Sequence, residues 1–192
     1  MERNNSDMRV LKLSLQFVLF ITLFLVVACA STKFSTIWKD ETYQGHPEKI
    51  LVINSFPNPA NRRIFEDEFV KALKGRGIDA VMSYTTMPVS VVLDKDAFAA
   101  QAKEIAADAV LVNQPLGTTM SETAAPGGYS YTGVAFTDVS IETRTDVYDM
   151  KLNKLILSVS AATWIHQDEP YLKQIKSYVK DLVNQLSRQG LF

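Results

Sequence analysis

The sequence contains a single cysteine, Cys29, which follows a long apolar run within the stretch LVVACAS at residues 25–31. A cysteine thiol acts as a nucleophile, ligates a metal, forms a disulfide or carries an acyl chain. One cysteine forms no intrachain disulfide, and a nucleophilic thiol requires a base in a fixed pocket, which the end of an apolar leader does not provide. Acylation is therefore the chemistry that this position favours.

The segment before Cys29 is typical of a cleaved signal peptide. Arg3, Arg9 and Lys12 precede an apolar stretch whose uninterrupted part covers residues 17–28. This part is shorter than the roughly 20 apolar residues that cross a bilayer, and small residues lie directly before the cysteine. We therefore predict a signal peptide at residues 1–28, with an uncleaved signal anchor as the alternative.

Residues 26–29, Val-Val-Ala-Cys, resemble the lipobox of bacterial lipoproteins. The resemblance implies cleavage between Ala28 and Cys29, diacylation of the Cys29 thiol and acylation of the new amino terminus. Several acyl chains anchor a protein stably, whereas one chain is marginal. The next residue is Ala30 and not aspartate, which by the sorting rule of enteric lipoproteins implies the periplasmic side of the outer membrane, with inner-membrane retention as the alternative.

Other chemistry-bearing residues form no constellation that predicts catalysis or metal binding. His46 and His166 are about 120 residues apart without ligand-like spacing, so we expect solvated loop histidines and no metal. Arg62 and Arg63 lie beside three carboxylates at residues 66–68, which predicts a solvated, salt-bridged helix face rather than an anion site. No motif for a nucleophilic serine, a zinc protease, a phosphate loop or a dinucleotide is present. We predict no catalytic residue and no cofactor.

The glycine-rich stretch AAPGGYSYTG at residues 124–133 is the candidate place for a partner contact. Tyr129 and Tyr131 offer stacking surfaces there, although a plain loop between strands explains the composition equally. The isolated aromatic residues elsewhere predict core or rim packing: Trp38, Tyr43, Phe56 and Trp164. The formal net charge of −1 provides no basic field for nucleic acid.

Strand and helix patterns alternate over residues 49–117. Asn58 caps the first helix, with Pro59 at the position where its missing N–H costs nothing, and Asp94 or Asp96 caps the second. This spacing predicts right-handed crossovers and parallel pairing of the strands. The predicted strands are residues 49–56, 78–84 and 108–117.

The second half of the chain alternates apolar and polar residues in two stretches, VSIETRTDVYD and KLILSVSAATWI, joined by the turn MKLN. Such alternation predicts a long antiparallel hairpin with one solvated face. Asp168 is expected to open a final amphipathic helix, with Pro170 in its first turn. The predicted fold is α/β, with a mixed sheet, a βαβαβ first half, the hairpin and the C-terminal helix.

Residues 1–28 form the predicted signal peptide, residues 29–45 the lipidated N-terminus and tether, and residues 46–192 a single α/β domain. The segment around Ile37 and Trp38 is a candidate edge strand within the polar residues that follow Cys29.

Four stretches resemble a family of uncharacterised bacterial lipoproteins: IWKDETYQGHPEKILVI, NRRIFEDEFVKALKGRGIDAVMSY, AADAVLV and DVYDMKLNKLI. More loosely, the layout is similar to the α/β domain of curli-secretion and penicillin-binding-protein-activator lipoproteins. This resemblance implies an adaptor or assembly role and transfers no catalytic residue. The chain departs from the family at Leu157 and Ser158, where related hairpins often carry a tryptophan.

These observations predict a membrane-anchored periplasmic lipoprotein that serves as a non-catalytic binding or assembly module, with an envelope protein as partner and no nucleic acid. The alternative is an envelope enzyme or small-ligand binder that uses residues 117–133 as a lid. A pocket with converging polar groups beneath that segment favours the alternative, whereas a flat surface with exposed apolar side chains favours a protein partner. A purely structural envelope protein is the third class.

Overall fold

The structure is a computed structural model that describes residues 32–91, 93–123, 136–166 and 168–192. Two short 3₁₀ turns at Ser83–Thr85 and Val89–Val91 follow the third strand. The other elements within the described residues are β1 Thr32–Lys39, β2 Lys49–Asn54, α1 Pro59–Lys74, β3 Asp79–Met82, α2 Lys95–Glu104, β4 Ala109–Thr123, β5 Phe136–Asp149, β6 Lys154–Ile165 and α3 Tyr171–Arg188.

The strands form one six-stranded mixed sheet in the order β1-β6-β5-β4-β2-β3. Strand β2 pairs in parallel with both β3 and β4, as the helical crossovers require. The pairs β4–β5, β5–β6 and β6–β1 are antiparallel. The predicted α/β fold, with a parallel part from the first half and a long hairpin from the second, is confirmed.

Local signals position the first two helices. The Asn58 side chain accepts hydrogen bonds from the backbone N–H groups of Ala60 and Asn61, and Pro59 takes the first helical position of α1. The φ of +81° at Gly77 then turns the chain into β3, a backbone conformation that glycine adopts without strain. Asp94 caps α2 in the same manner, so both predicted caps are confirmed.

Two hydrophobic clusters lie on opposite faces of the sheet. In the larger cluster, α1 and α3 pack against one face of the sheet. Phe69 of α1 and Leu182 of α3 are fully buried there. The smaller one packs Phe98 and Ala102 of α2 against β2 and β4 on the other face. Because a helix covers each face of the parallel strands, their sequences are continuous apolar runs.

Helix α3 begins at Tyr171, so the start predicted at Asp168 is wrong by three residues. Pro170 is the N-cap in an extended conformation. The Gln174 side chain holds the segment before the helix, because its amide nitrogen donates to the carbonyls of His166 and Glu169 at 2.8 and 2.9 Å. The amphipathic pattern predicted for this helix agrees with the burial of its apolar residues from Ile175 to Leu186.

Strand β1 contains the segment around Ile37 and Trp38 and pairs with β6 at the edge of the sheet, as predicted for an edge strand. Residues 32–39 of the segment assigned to the tether at 29–45 are therefore part of the sheet. Strand β4 continues to Thr123, whereas the sequence predicted that it ends at residue 117. The cause is the register with β5, which pairs every residue from Thr118 to Thr123.

Candidate interaction surface

One face of the antiparallel half of the sheet carries no helix among the residues that the structure describes. Helices α1 and α3 cover the opposite face of β5 and β6, and α2 packs at β2, β4 and the end of β5 near Tyr148. We call the uncovered surface the open face. Its residues follow from the strand register: Lys33, Thr36 and Trp38 of β1, Ser158, Ser160, Ala162 and Trp164 of β6, Ser140, Glu142, Arg144 and Asp146 of β5, and Gln114 and Thr119 of β4.

Small side chains occupy the centre of the open face. Ser160 of β6 is paired with Thr36 of β1 on one side and with Arg144 of β5 on the other. Ala162 is the next β6 residue on the same face, because side chains of a strand alternate between faces. Hydroxyl and methyl groups rise little above the backbone, so the middle of the surface is flat.

Two tryptophans flank this flat region. Trp38 is paired with Ser158 and is 47% exposed, and Trp164 is paired with Ser140 and is 38% exposed. Ser158 and Trp164 are six residues apart on β6, so the indoles are separated by about 20 Å along the strand direction. The core alternative of the packing predicted for both side chains is wrong: each projects from the open face, because the helices pack on the other side.

The charges of the open face largely compensate each other. The Arg144 guanidinium Nε lies 3.1 Å from the Asp146 carboxylate, which also accepts a 2.6 Å hydrogen bond from the Ser158 hydroxyl. Glu142 accepts a longer hydrogen bond, of 3.4 Å, from the Thr119 hydroxyl. Among the side chains that the structure describes, and with Lys33 included, this surface holds two cations and two carboxylates, so these groups create no single-sign field of the kind that recruits a polyanion.

A buried polar network lies where β2 ends and its last residue pairs with β4, at the edge of the parallel strands where α/β folds usually hold ligands. The Asn54 amide donates to the Asn113 side-chain oxygen at 2.9 Å. The Asn113 amide donates to the hydroxyls of Thr145 and Tyr178, both at 2.8 Å. The Tyr178 hydroxyl also bonds that of Thr143, and burial raises the pKa of the Tyr178 phenol. These groups are bonded to one another, so the network holds β4, β5 and α3 together.

A second buried cluster joins α1 to the end of β3. Glu66, fully buried, accepts hydrogen bonds from Arg62 at 2.9 Å and from Ser83 at 2.8 Å. It also accepts from the backbone N–H groups of Asn54 and Tyr84. The solvated face predicted for Arg62 is therefore wrong, because this guanidinium is 4% exposed. Arg63, the next residue, is exposed and lies over the Tyr84 ring.

An apolar cavity lies between the N-terminal part of α3 and the strands β5 and β6. Phe65, Ile141, Ile165 and Tyr171 are among its walls, and its lining includes no carboxylate, lysine, histidine or cysteine from the part of the chain that the structure describes. Residues 117–123 of the predicted lid belong to strand β4, which corrects that part of the prediction. The remainder of the lid segment lies outside the described residues.

The two histidines are exposed, and both lie outside helices and strands, as the sequence predicts. Within residues 32–91, 93–123, 136–166 and 168–192, no group of three or more His, Cys, Asp or Glu side chains is placed to hold a metal ion. In the same ranges, no helix combines the length and apolar character needed to cross a membrane.

The residues that the sequence singled out for processing and partner contact, Ala28, Cys29, Tyr129 and Tyr131, all lie outside the described residues. The open face was not predicted as a site. The available signal was the alternation in β6, which places Trp164 on the same face as Ser158, Ser160 and Ala162. The alternation predicted one solvated face of the hairpin; what the sequence did not indicate is that both tryptophans project from that face.

No known family model matches the chain, and no curated protein matches it. Several solved structures are similar to it over most of its length. The PelC dodecamer from Paraburkholderia phytofirmans is 13% identical with a TM-score of 0.50, over 79% of this chain and 96% of that one. Lipoprotein GNA1162 from Neisseria meningitidis is 17% identical with a TM-score of 0.43, over 74% of this chain and 99% of its own. A minor lipoprotein from Acinetobacter baumannii is 14% identical with a TM-score of 0.35, over 74% and 94%. Likeness at these identities concerns the fold alone.

Proposed function

We propose that this protein is a membrane-anchored periplasmic lipoprotein whose domain serves as a non-catalytic binding or assembly module of the cell envelope. Cys29 carries the acyl chains, the outer membrane is the proposed location, and the open face is the contact surface for an envelope protein. The observation that carries the proposal is the pair of exposed tryptophans, Trp38 and Trp164, on an uncovered flat sheet face.

The shape and composition of the open face support a protein partner. Tryptophan and arginine dominate the binding energy of protein interfaces, and small residues between them allow close approach of a flat partner. The buried Asn113 and Glu66 networks support a non-catalytic role, since their hydrogen bonds are directed to neighbouring protein groups. The apolar cavity beside α3 has no carboxylate, lysine, histidine or cysteine among its described lining residues.

The anchor is tested with the substitution Cys29→Ser. The wild-type protein is expected in the membrane fraction, with a mature mass that corresponds to cleavage before Cys29 plus acyl chains. The variant is expected to keep its leader and lose these acyl chains. Identical fractionation and identical mass of the two proteins would contradict the proposed anchor.

The contact surface is tested by photo-crosslinking in intact cells. A photoreactive amino acid at Ser160, in the centre of the open face, is compared with one at Lys103, an exposed residue of α2. We expect a discrete crosslinked envelope protein from position 160 and none from position 103. PelC, which shares the fold, forms a dodecamer, so a crosslink to a second copy of this chain is read as self-assembly. No crosslink from position 160, together with a small molecule that copurifies, would shift the function to ligand binding.

A further inference from the structure

Four of the nine large apolar side chains that are exposed among the described residues lie at one end of the sheet. Met120 is 70% exposed, and Trp164, Tyr171 and Leu172 are exposed as well. Strand pairing places these residues together: Met120 is opposite Val139, which is opposite Ile165, the neighbour of Trp164. Tyr171 lines the same cavity as Ile165, which adds the start of α3 to this end.

Strand β1 starts at the same end. Its first residue, Thr32, is paired with Thr163, and Thr163 is paired with Ile141. The hydroxyls of Thr32 and Thr163 lie 3.3 Å apart in a buried position, so the start of β1 is fixed in the sheet. We call this end of the sheet, which carries Met120, Trp164, Tyr171 and Leu172 as well as Thr32, the anchor end.

The chain between the proposed lipid anchor and the anchor end is very short. Only Ala30 and Ser31 separate Cys29 from Thr32. Three Cα–Cα steps cover at most about 11 Å even when the chain is fully extended. An acylated Cys29 therefore holds the Cα atom of Thr32 within about 11 Å of the lipid surface.

The strands β4 and β5 extend farther than this tether. Thr118 is paired with Ile141 in the row of Thr32, and the last pair of the two strands is Thr123 with Phe136. Five residues of extended strand correspond to about 17 Å. The tether of about 11 Å is shorter than the part of β4 and β5 beyond Thr118, which is about 17 Å long. When these strands point towards the membrane, the anchor end therefore contacts the lipid.

We propose that the anchor end rests in the headgroup region of the bilayer that holds the acyl chains of Cys29, with Trp164, Tyr171, Met120 and Leu172 in contact with lipid. This inference depends on the proposed anchor and adds an orientation to it. The open face is then perpendicular to the membrane, with Trp164 at its membrane side and Trp38 at its periplasmic side.

The side-chain chemistry of the anchor end fits a lipid surface. Tryptophan and tyrosine favour the membrane–water interface, because their rings are apolar and their N–H or O–H group stays hydrated. Met120 and Leu172 add apolar area, and Lys33, exposed beside Thr32, is a cation for phosphate headgroups. The tether keeps these residues at a high effective concentration next to the lipid, so they bind the lipid surface even when each contact is weak.

The chain contains two tryptophans, Trp38 and Trp164, which makes their intrinsic fluorescence a matched pair of probes. The full-length lipidated protein is reconstituted into phosphatidylcholine vesicles with brominated acyl chains, in two single-tryptophan forms, Trp38→Phe and Trp164→Phe. The first form reports Trp164 alone and the second reports Trp38 alone. Flotation of the vesicles and the mass of the protein report the anchor separately.

We expect the Trp164 fluorescence to fall by about half relative to vesicles without bromine, as for an indole at the interface, and the Trp38 fluorescence to stay unchanged. Floating, acylated protein in which Trp164 is unquenched, or in which both residues are quenched, would overturn the orientation and leave the anchor intact. Protein that does not float and carries no acyl chain would instead refute the proposed anchor, and this inference with it.

A second probe avoids any dependence on tryptophan substitution. Because the thiol of acylated Cys29 is blocked, Met120→Cys introduces a free thiol that takes a polarity-sensitive dye, and Lys103→Cys on α2 is the control. The dye at position 120 is expected to shift to the blue when the protein enters vesicles, and the dye at position 103 to keep its spectrum. Equal spectra at both positions would contradict lipid contact at the anchor end.

Discussion

The buried pair of Arg62 and Glu66 gives the sharpest test of the packing described here. Glu66→Gln preserves the size of the side chain and removes its charge. In the structure, one carboxylate oxygen of Glu66 accepts from Arg62, Ser83 and the Asn54 backbone, and the other accepts from the Tyr84 backbone. Glutamine offers one acceptor oxygen in place of two, so at least one buried donor loses its partner.

The expected cost follows from the burial of both partners. The Arg62 guanidinium is 4% exposed, and a buried charge that loses its counter-ion destabilises a protein by about 3–5 kcal/mol. The matched control is Glu68→Gln on the same helix, where the carboxylate lies 3.4 Å from the exposed Lys176 ammonium. Glu68 is half-buried and its partner is exposed, and an ion pair near the surface contributes about 0–1 kcal/mol.

The assay is urea unfolding of the purified proteins, followed by far-ultraviolet circular dichroism. A domain of this class has a total stability of about 5–15 kcal/mol, so Glu66→Gln is expected to shift the unfolding midpoint far below that of the wild type. The Glu68→Gln midpoint is expected to stay close to the wild-type value. Equal midpoints for the two variants would refute the assignment of Glu66 as the buried counter-ion.

Two further predictions concern single side chains. Tyr178→Phe removes the hydroxyl that bonds Asn113 and Thr143, and we expect a loss of about 1–3 kcal/mol in unfolding free energy; Tyr171→Phe, at an exposed position, is the control and is expected to be neutral. Lys154 and Thr42 lower the pKa of Asp40 from 3.8 to about 2, so the stabilisation is complete above the ordinary pKa and is lost as the pH falls towards 2. Asp40→Asn is therefore expected to lower the melting temperature above pH 4 and to melt with the wild type near pH 2; a difference that is constant across this range would contradict the ion pair.

Local sequence signals were sufficient where the determining groups are neighbours in the chain. Asn58 and Pro59 predict the start of α1 because capping involves only the next three residues. The alternation of β6 predicts which of its residues share a face. The start predicted for α3 is wrong because Asp168 has the residue type of a conventional cap, whereas Gln174, which comes later in the chain, holds the segment before Tyr171 through the carbonyls of His166 and Glu169.

Burial that depends on distant segments was not predictable in this way. Arg62 and Glu66 have the i,i+4 spacing of an ordinary surface pair, and they are buried because Ser83 and Tyr84, about 20 residues later, close over them. The exposure of Trp38 likewise depends on which face of the sheet α3 covers. No local pattern near Trp38 carries that information.

The two proposals lead to one arrangement of the protein on the membrane. The acyl chains of Cys29 and the anchor end fix the domain to lipid, and the open face stands beside it, available to an envelope protein. Ser160 lies at the centre of that face, so a large charged side chain there is expected to block the partner while the helices and the anchor stay intact.

The native mass of the protein extracted from membranes in mild detergent tests whether the open face binds a partner. We predict that the wild-type protein is part of a complex larger than one chain, that Ser160→Arg reduces it to the mass of a single lipidated chain, and that Lys103→Glu on α2 leaves the complex intact. A single-chain mass for all three proteins would contradict a binding or assembly module that acts through the open face.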